Sequence, residues 1–334
     1  MGGRSPGNSF RSIIYLATAV AILYPLLSAV SPGWDTLLTY GIVLGIAALG
    51  FNLLLGYTGL LSFGHAAFFG VGAYTSALLL KFFDIRSIEI YLAAGGLAGA
   101  GLAFLIGPIV ARYTRIYFAI LMLAIAQVLW SLYLKFYWIT GGSDGVRVGR
   151  PIVMGIDTSN LSYYDFQLLY HFYSLSIFVA MTYIMWRLVN SPFGYTLRAI
   201  RDNEERARFI GINVERFRIY ALAISGFYTG VAGALYAPLN RLVTPELAYW
   251  TFSGEIIFIT ILGGFKSFIG PVVGSIIYTF LESIAVSYTE YWQLLLGVLI
   301  IVIMIFMPGG ITDLIERIHT RLKKQEAKIH VEAG

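Results

Sequence analysis

The stretch from Ser191 to Arg218 reads SPFGYTLRAIRDNEERARFIGINVERFR and is the longest strongly charged interval between hydrophobic runs that could each cross a bilayer. Counting Arg187 just before it, the interval carries seven bases, Arg187, Arg198, Arg201, Arg206, Arg208, Arg216 and Arg218, and four acids, Asp202, Glu204, Glu205 and Glu215. Loops this rich in arginine stay on the cytoplasmic side of a membrane. Ser191-Pro192 is a helix start, and Leu197, Ile200, Ala207 and Ile210 follow at helical spacing, which predicts a short, largely polar helix outside the lipid. Such a helix offers a surface to a soluble partner.

The rest of the chain sets this interval in an apolar body. Charged residues make up 12% of the sequence and hydrophobic residues 58%, with a mean hydropathy of +0.75, a composition of multispanning membrane proteins. A net charge of +5 would point to nucleic acid in a soluble protein, but here the bases lie between apolar runs, where the positive-inside bias accounts for them. No nucleic-acid partner is expected. The absence of cysteine excludes disulfides, thiol catalysis and thiolate metal sites. Arg4 and Arg11 precede the first apolar run as in a signal peptide, yet no small-residue cleavage site follows Val30, so an uncleaved first helix is expected.

A helix needs about 20 apolar residues to span the hydrocarbon core. Cutting the sequence at charges, prolines and glycine clusters gives ten spans: Ile13 to Val30, Thr36 to Leu55, His65 to Leu80, Ile90 to Val110, Ile116 to Leu134, Phe166 to Leu188, Ile219 to Pro238, Ser253 to Gly263, Pro271 to Ser287 and Tyr291 to Met307. The third and eighth are short and bounded by glycine. With the N-terminus inside, 17 of the 23 bases fall on one side, including Arg112, Arg115, Lys266 and the tail bases from Arg317 to Lys328. The expected organisation is an all-α transmembrane domain over residues 1–310, a cytoplasmic loop at 190–218 within it, and a cytoplasmic tail at 311–334, with both termini in the cytoplasm.

Two connections break the pattern. GYTGLLSFG, Gly56 to Gly64, carries no charge and runs straight into the next apolar segment, so it reads as a broken or re-entrant helix covered by protein or a watery cavity. LGGFKSFIGPVVGSIIY, Leu262 to Tyr278, is interrupted by Gly263-Gly264 and Gly270-Pro271. Interrupted helices in corresponding halves point to a transport path. Glycines four apart, at 41 and 45, 95 and 99, 226 and 230, and 270 and 274, allow helix backbones to approach closely. Tyrosine and tryptophan gather near the predicted outer ends, as at Tyr137-Trp138, Tyr249-Trp250 and Tyr291-Trp292, in the manner of an interfacial belt.

Catalytic chemistry is missing. Gly264-Phe265-Lys266-Ser267 resembles only the end of a Walker A loop and lacks its glycines, so the chain itself is not expected to bind ATP. The four histidines, His65, His171, His319 and His330, have no metal-ligand spacing, and no nucleophilic triad stands out. Neither an enzyme nor a resident cofactor or metal is expected. Polar residues inside spans are costly and often line a path. Here they are Asn52, Ser62, His65, Gln127, Ser253 and Glu255, each of which can instead bond a neighbouring helix or, for Glu255, sit at a helix start in the headgroup layer. So few membrane charges argue against an ion filter and suit a neutral or zwitterionic solute.

GYTGLLSFGHAAFFGVGAYTSALL, TGGSDGV, SPFGYTLRAIRDNEERARFIGI and ILGGFKSFIGPVVGS, in this order from about Thr36 to Met307, resemble the LivM-type permease subunits of branched-chain amino acid ABC importers. Glu205 to Gly211 looks like the permease signature Glu-Ala-Ala-x-x-x-Gly, with Ala207 in place and Arg206 replacing an alanine. Arginine is a good helix former, so the helix is expected to survive. The resemblance implies a type II ABC importer-like permease of a prokaryotic cell membrane. It also implies that Arg198, Arg201, Glu204, Glu205, Arg206, Ala207, Arg208 and Gly211 belong to a coupling helix seated in a groove of an ATPase. The implied partners are membrane lipid, a homologous LivH-like permease, two ATP-binding subunits that hold ATP and Mg, and an extracytoplasmic solute-binding protein. The implied cargo is a branched-chain or related neutral amino acid. The same layout serves urea and short amides, and a gradient-driven secondary transporter is the reading from another class.

Overall fold

The computed structural model describes residues 6–30, 33–307 and 309–314. The expected tail therefore lies, past residue 314, outside the described residues. The helices in chain order are α1 (Pro6–Val30), α2 (Trp34–Asn52, continued by a π-helical turn, Leu53–Thr58), α3 (His65–Phe83), α4 (Ile88–Val110), α5 (Arg115–Lys135), the short α6 (Tyr137–Thr140), α7 (Tyr163–Val189), α8 (Pro192–Asp202), α9 (Glu204–Phe209), α10 (Val214–Asn240), α11 (Trp250–Gly263), α12 (Gly270–Tyr288) and α13 (Trp292–Phe306). Each span expected from the sequence falls on one of these helices to within a residue. Eight are long and apolar enough to cross a membrane, while the apolar part of α1, Ile14–Leu27, and α11 are shorter.

Glycine sets the packing. Gly95 and Gly99 of α4 press against the backbone of Gly230 and Gly226 of α10, so two of the spaced pairs in the sequence meet each other. At the same place Gly72 of α3 lies against the Gly230 carbonyl, leaving no room for a Cβ, and its own carbonyl faces Gly95. Gly41 and Gly45 of α2 meet Ile276 and Ser275 of α12, and Gly270 and Gly274 of α12 meet Gly263 and Ile259 of α11. Helices α2, α3, α4 and α10 thus form the tight centre, with α11 and α12 against α2.

The loops segregate into two rims. On one, the Arg201 guanidinium donates to the Gly56 carbonyl, Arg218 donates to the Ala111 carbonyl at 3.4 Å, and Phe265 abuts Gly56. On the other, Lys81 donates to the carbonyls of Trp138 and Ile139, and Val146 and Arg147 (β1) pair antiparallel with Leu242 and Val243 (β4). A second small ribbon, β2 (Ile152–Val153) with β3 (Ile156–Asp157), is tied to the α3–α4 turn through the Ile152 amide and the Arg86 carbonyl. The described part of the arginine-rich interval and the long 136–162 connection therefore lie at opposite ends of the bundle.

Candidate functional site

The centre of the bundle is where two segments dip inward from opposite rims. After the π-turn, Gly59 to Gly64 turns back into the bundle, and α3 starts at His65 against the middle of its neighbours. Gly64 abuts the Met122 carbonyl, seven residues into α5 and thus about 10 Å along that helix. From the other rim, α10 ends at Asn240, and β4 with a 3-10 turn (Pro245–Ala248) brings the chain down until Ala248 rests on Gly70. Helix α11 then begins at Trp250 as a half-length helix. The two segments join where the Ser253 hydroxyl accepts from the Ala66 amide at 2.9 Å, satisfying a helix-start donor that water cannot reach. The sequence reading placed irregular backbone at 56–64, where it occurs. It also expected an interruption at 262–278, and the helix does break there, over 264–269, but as a turn at the rim between α11 and α12 and not at membrane depth. The break that shortens a helix is at 241–249, where Thr244-Pro245 and paired β-structure replace helix.

The sequence-derived polar residues are nearly all drawn into this crossing. His65, Ser62 and Ser253 are fully buried and Asn52 is 2% exposed. The Ser225 hydroxyl donates to the Gly50 carbonyl at 2.7 Å, so its oxygen must accept from His65 Nε2–H, also at 2.7 Å. His65 Nδ1 has no partner among the described residues, and the ring lies edge-on to Phe51 and Phe68. Ser62 Oγ accepts from the Gly64 amide at 3.3 Å. None of these four faces an open channel in this conformation: Ser62 and Ser253 bond backbone amides, His65 bonds Ser225, and Asn52 Oδ1 is buried with no partner among the described residues. Gln127 sits apart, half-buried on α5. Glu255 is half-buried on α11, on a stripe with exposed Thr251 and Phe258.

Beside the crossing lies an apolar cavity of about 430 Å³, walled by Leu61 and Phe63 of the dipping loop, by Ile116 and Leu123 of α5 and by Trp250, with Arg115 at its mouth. Three groups missed in the sequence also emerge. Asp35, at 5% exposure, takes a long 3.5 Å bond from Tyr24, whose ring stacks on His171. His171 Nδ1 and Thr39 Oγ1 are 2.8 Å apart, so this acid and this histidine form one buried network. Glu282 stands in the middle of α12. A carboxylate inside an apolar run was the signal for Glu282; nothing local announced the others.

At the rim, the arginine-rich interval forms two helices where one was expected. Asn203 leaves the helical region (φ −158°, ψ 104°) and its side chain accepts from the Arg206 amide at 2.9 Å, ending α8 and capping α9. Helix α9 closes with Gly211 at φ +89°, the Gly211 amide donating to Arg208 and the Ile212 amide to Ala207, a Schellman pair. Arg218, 4% exposed, grips Glu204 at 2.6 Å, and Arg208 holds the same carboxylate at 3.0 Å. Burial alone would raise the Glu204 pKa, but these arginine hydrogen bonds outweigh it and hold the carboxyl below its usual range. Ala207 packs inward with Ile200 and Val214. Arg201 and Arg198 also point inward, Arg201 to the Gly56 carbonyl and Arg198 to the Val189 carbonyl and the Tyr57 ring. What protrudes is Glu205, Arg206, Gly211 and an apolar tip, Phe209 and Ile210, 88% and 76% exposed.

A body of apolar, span-length helices with irregular backbone at its centre is the layout of a multi-pass membrane protein with room for a solute path. The chain belongs to the family described as the branched-chain amino acid transport system permease component, which it matches over residues 9–304. It is 28% identical to the high-affinity branched-chain amino acid transport system permease protein LivM of Escherichia coli K12, over 96% of this chain and 80% of that protein. It is also 24% identical to a probable branched-chain amino acid transport permease protein LivH of Methanocaldococcus jannaschii, over 82% of this chain and 89% of that one. No solved structure matches the chain.

Proposed function

We propose that this permease lines one half of the path of an ATP-driven importer, opposite a LivH-like partner permease, and that α9 is its contact with an ATPase. The observation that carries this is the Phe209–Ile210 tip. Two large apolar side chains are held in water on a helix capped at both ends and pinned by Glu204 to Arg218, an arrangement that costs solvation unless a partner groove covers them. Glu205, Arg206 and Gly211 flank the tip, whereas Arg198, Arg201 and Ala207 fix the arm to the body. ATP and Mg belong to the ATPase subunits in this reading, and a solute-binding protein delivers cargo from the opposite rim. The arginine excess puts α8 and α9 in the cytoplasm. The near-wholly apolar cavity beside the helix breaks favours a branched aliphatic side chain over urea or a short amide.

The test is the double variant Phe209→Asp with Ile210→Asp in the purified importer. Its expected result is loss of the ATPase subunits on purification and of ATP-driven leucine uptake in proteoliposomes, with the thermal midpoint of the permease unchanged. Leucine uptake by the purified chain with no ATPase would overturn the reading.

A further inference from the structure

Helices α11 and α12 run antiparallel with Gly263 opposite Gly270 and Ile259 opposite Gly274, a register that brings Glu255 level with Tyr278, and Glu282 one turn further along α12. Neither Glu255 nor Glu282 has an ion-pair or hydrogen-bond partner among the described residues, and both are half-buried, Glu255 between buried Gly254 and Ile256 and Glu282 where α12 opens to an exposed face at Ile284 and Val286. Tyr278 is 2% exposed, its hydroxyl makes no hydrogen bond among the described residues, and it lies in the field of both carboxylates. Tyr236 of α10 feels the same two charges, and its ring packs 5.4 Å from Phe69 and 5.5 Å from Tyr40. Phe252 closes on Phe69 at 4.6 Å.

Two acids with no cation among the described residues, beside the unpartnered hydroxyl of a buried tyrosine and among aromatic faces, are a poor way to stabilise a membrane helix pair and a good way to hold a cation. The aromatic faces favour an organic ammonium. We propose that Glu255 and Glu282, with the Tyr278 hydroxyl and the Tyr236 ring, form a binding site for the primary ammonium group of the transported solute. Trp250, which walls the apolar cavity, is five residues from Glu255, about 7.5 Å along the axis of α11 and about 140° round it, so α11 carries the ammonium site and a wall of the side-chain cavity on different faces. The proposal rests on the transport reading above for the identity of the ammonium carrier.

The experiment labels the intact importer in detergent with a hydrophobic carbodiimide, which attacks membrane carboxyls, and maps Glu255 and Glu282 by mass spectrometry. The probes are leucine, isobutylamine, and 4-methylpentanoate, which keeps leucine's skeleton without the amine. Leucine and isobutylamine are expected to slow labelling about tenfold at ten times their Kd, the 1 + [L]/Kd of a single site, and 4-methylpentanoate to have no effect. Glu255→Gln is expected to abolish protection at Glu282, and Glu282→Gln protection at Glu255; the amides keep the side-chain shape and remove buried charge. No protection by either amine, or equal protection by 4-methylpentanoate, would overturn the site. Protection by isobutylamine but not leucine supports the site while overturning the amino-acid reading.

Discussion

At the scale of the residue, the Glu204 to Arg218 pair sets how the cytoplasmic arm responds to acid. Because the folded Glu204 carboxyl is held below its ordinary value of about 4.3, its contribution is fully present above that value and is lost as the pH falls through the lower folded one. Amide protection of residues 204–212, corrected for intrinsic exchange, is therefore expected to be flat from neutral pH to about 5 and to drop below about 4. Glu204→Gln is expected to show the acid level of protection already at neutral pH. It leaves Arg218 buried without its partner, at a cost of about 3 kcal/mol. Unchanged protection in that variant would mean that the Schellman closure at Gly211, and not the ion pair, holds the arm.

At the scale of the element, glycine decides which helices touch. Gly72→Ala places a methyl on the Gly230 carbonyl, backbone that cannot yield, and is expected to destabilise by about 1–3 kcal/mol and lower the thermal midpoint accordingly. Gly101→Ala, on α4 with open space at its Cβ, is expected to be neutral or to stabilise by about 0.5–1 kcal/mol through the unfolded chain. Thermal scans of both variants in one detergent check the contrast. These same glycines show what a sequence makes legible. Gly95, Gly99, Gly226 and Gly230 are visible as close-packing positions because their spacing repeats with the helix; that the two pairs face one another depends on contacts more than 120 residues apart. Asn203 was hidden for a related reason. An asparagine among helix formers breaks a helix only when its cap has more to bond than the helix interior does, here the Arg206 amide. The 241–249 stretch was left outside every span; that it descends into the bundle was illegible because the descent depends on Ala248 meeting Gly70 far away in the sequence.

At the scale of the whole molecule, hydropathy recovered ten helices, eight of them of spanning length, since apolar length is a local property. The polar crossing was recovered as a set of residues but not as a place: His65 meets Ser225 across 160 positions. Orientation can be tested directly, because the chain has no cysteine of its own. A single cysteine at Glu205 is expected to react with an impermeant maleimide only from the cytoplasmic side of oriented vesicles, and one at Ser159 only from outside. Both labelling from one side would contradict the separation of the two rims.

The meeting of the two inward segments also concentrates a demand of the whole bundle on one contact. A bilayer core is about 30 Å thick, yet α3 and α11 each start part-way along their neighbours and are tied there by the bond from the Ala66 amide to the Ser253 hydroxyl. Losing that one acceptor strands a buried amide at the start of α3, so the serine is a requirement of the architecture and not only a polar side chain in an apolar run.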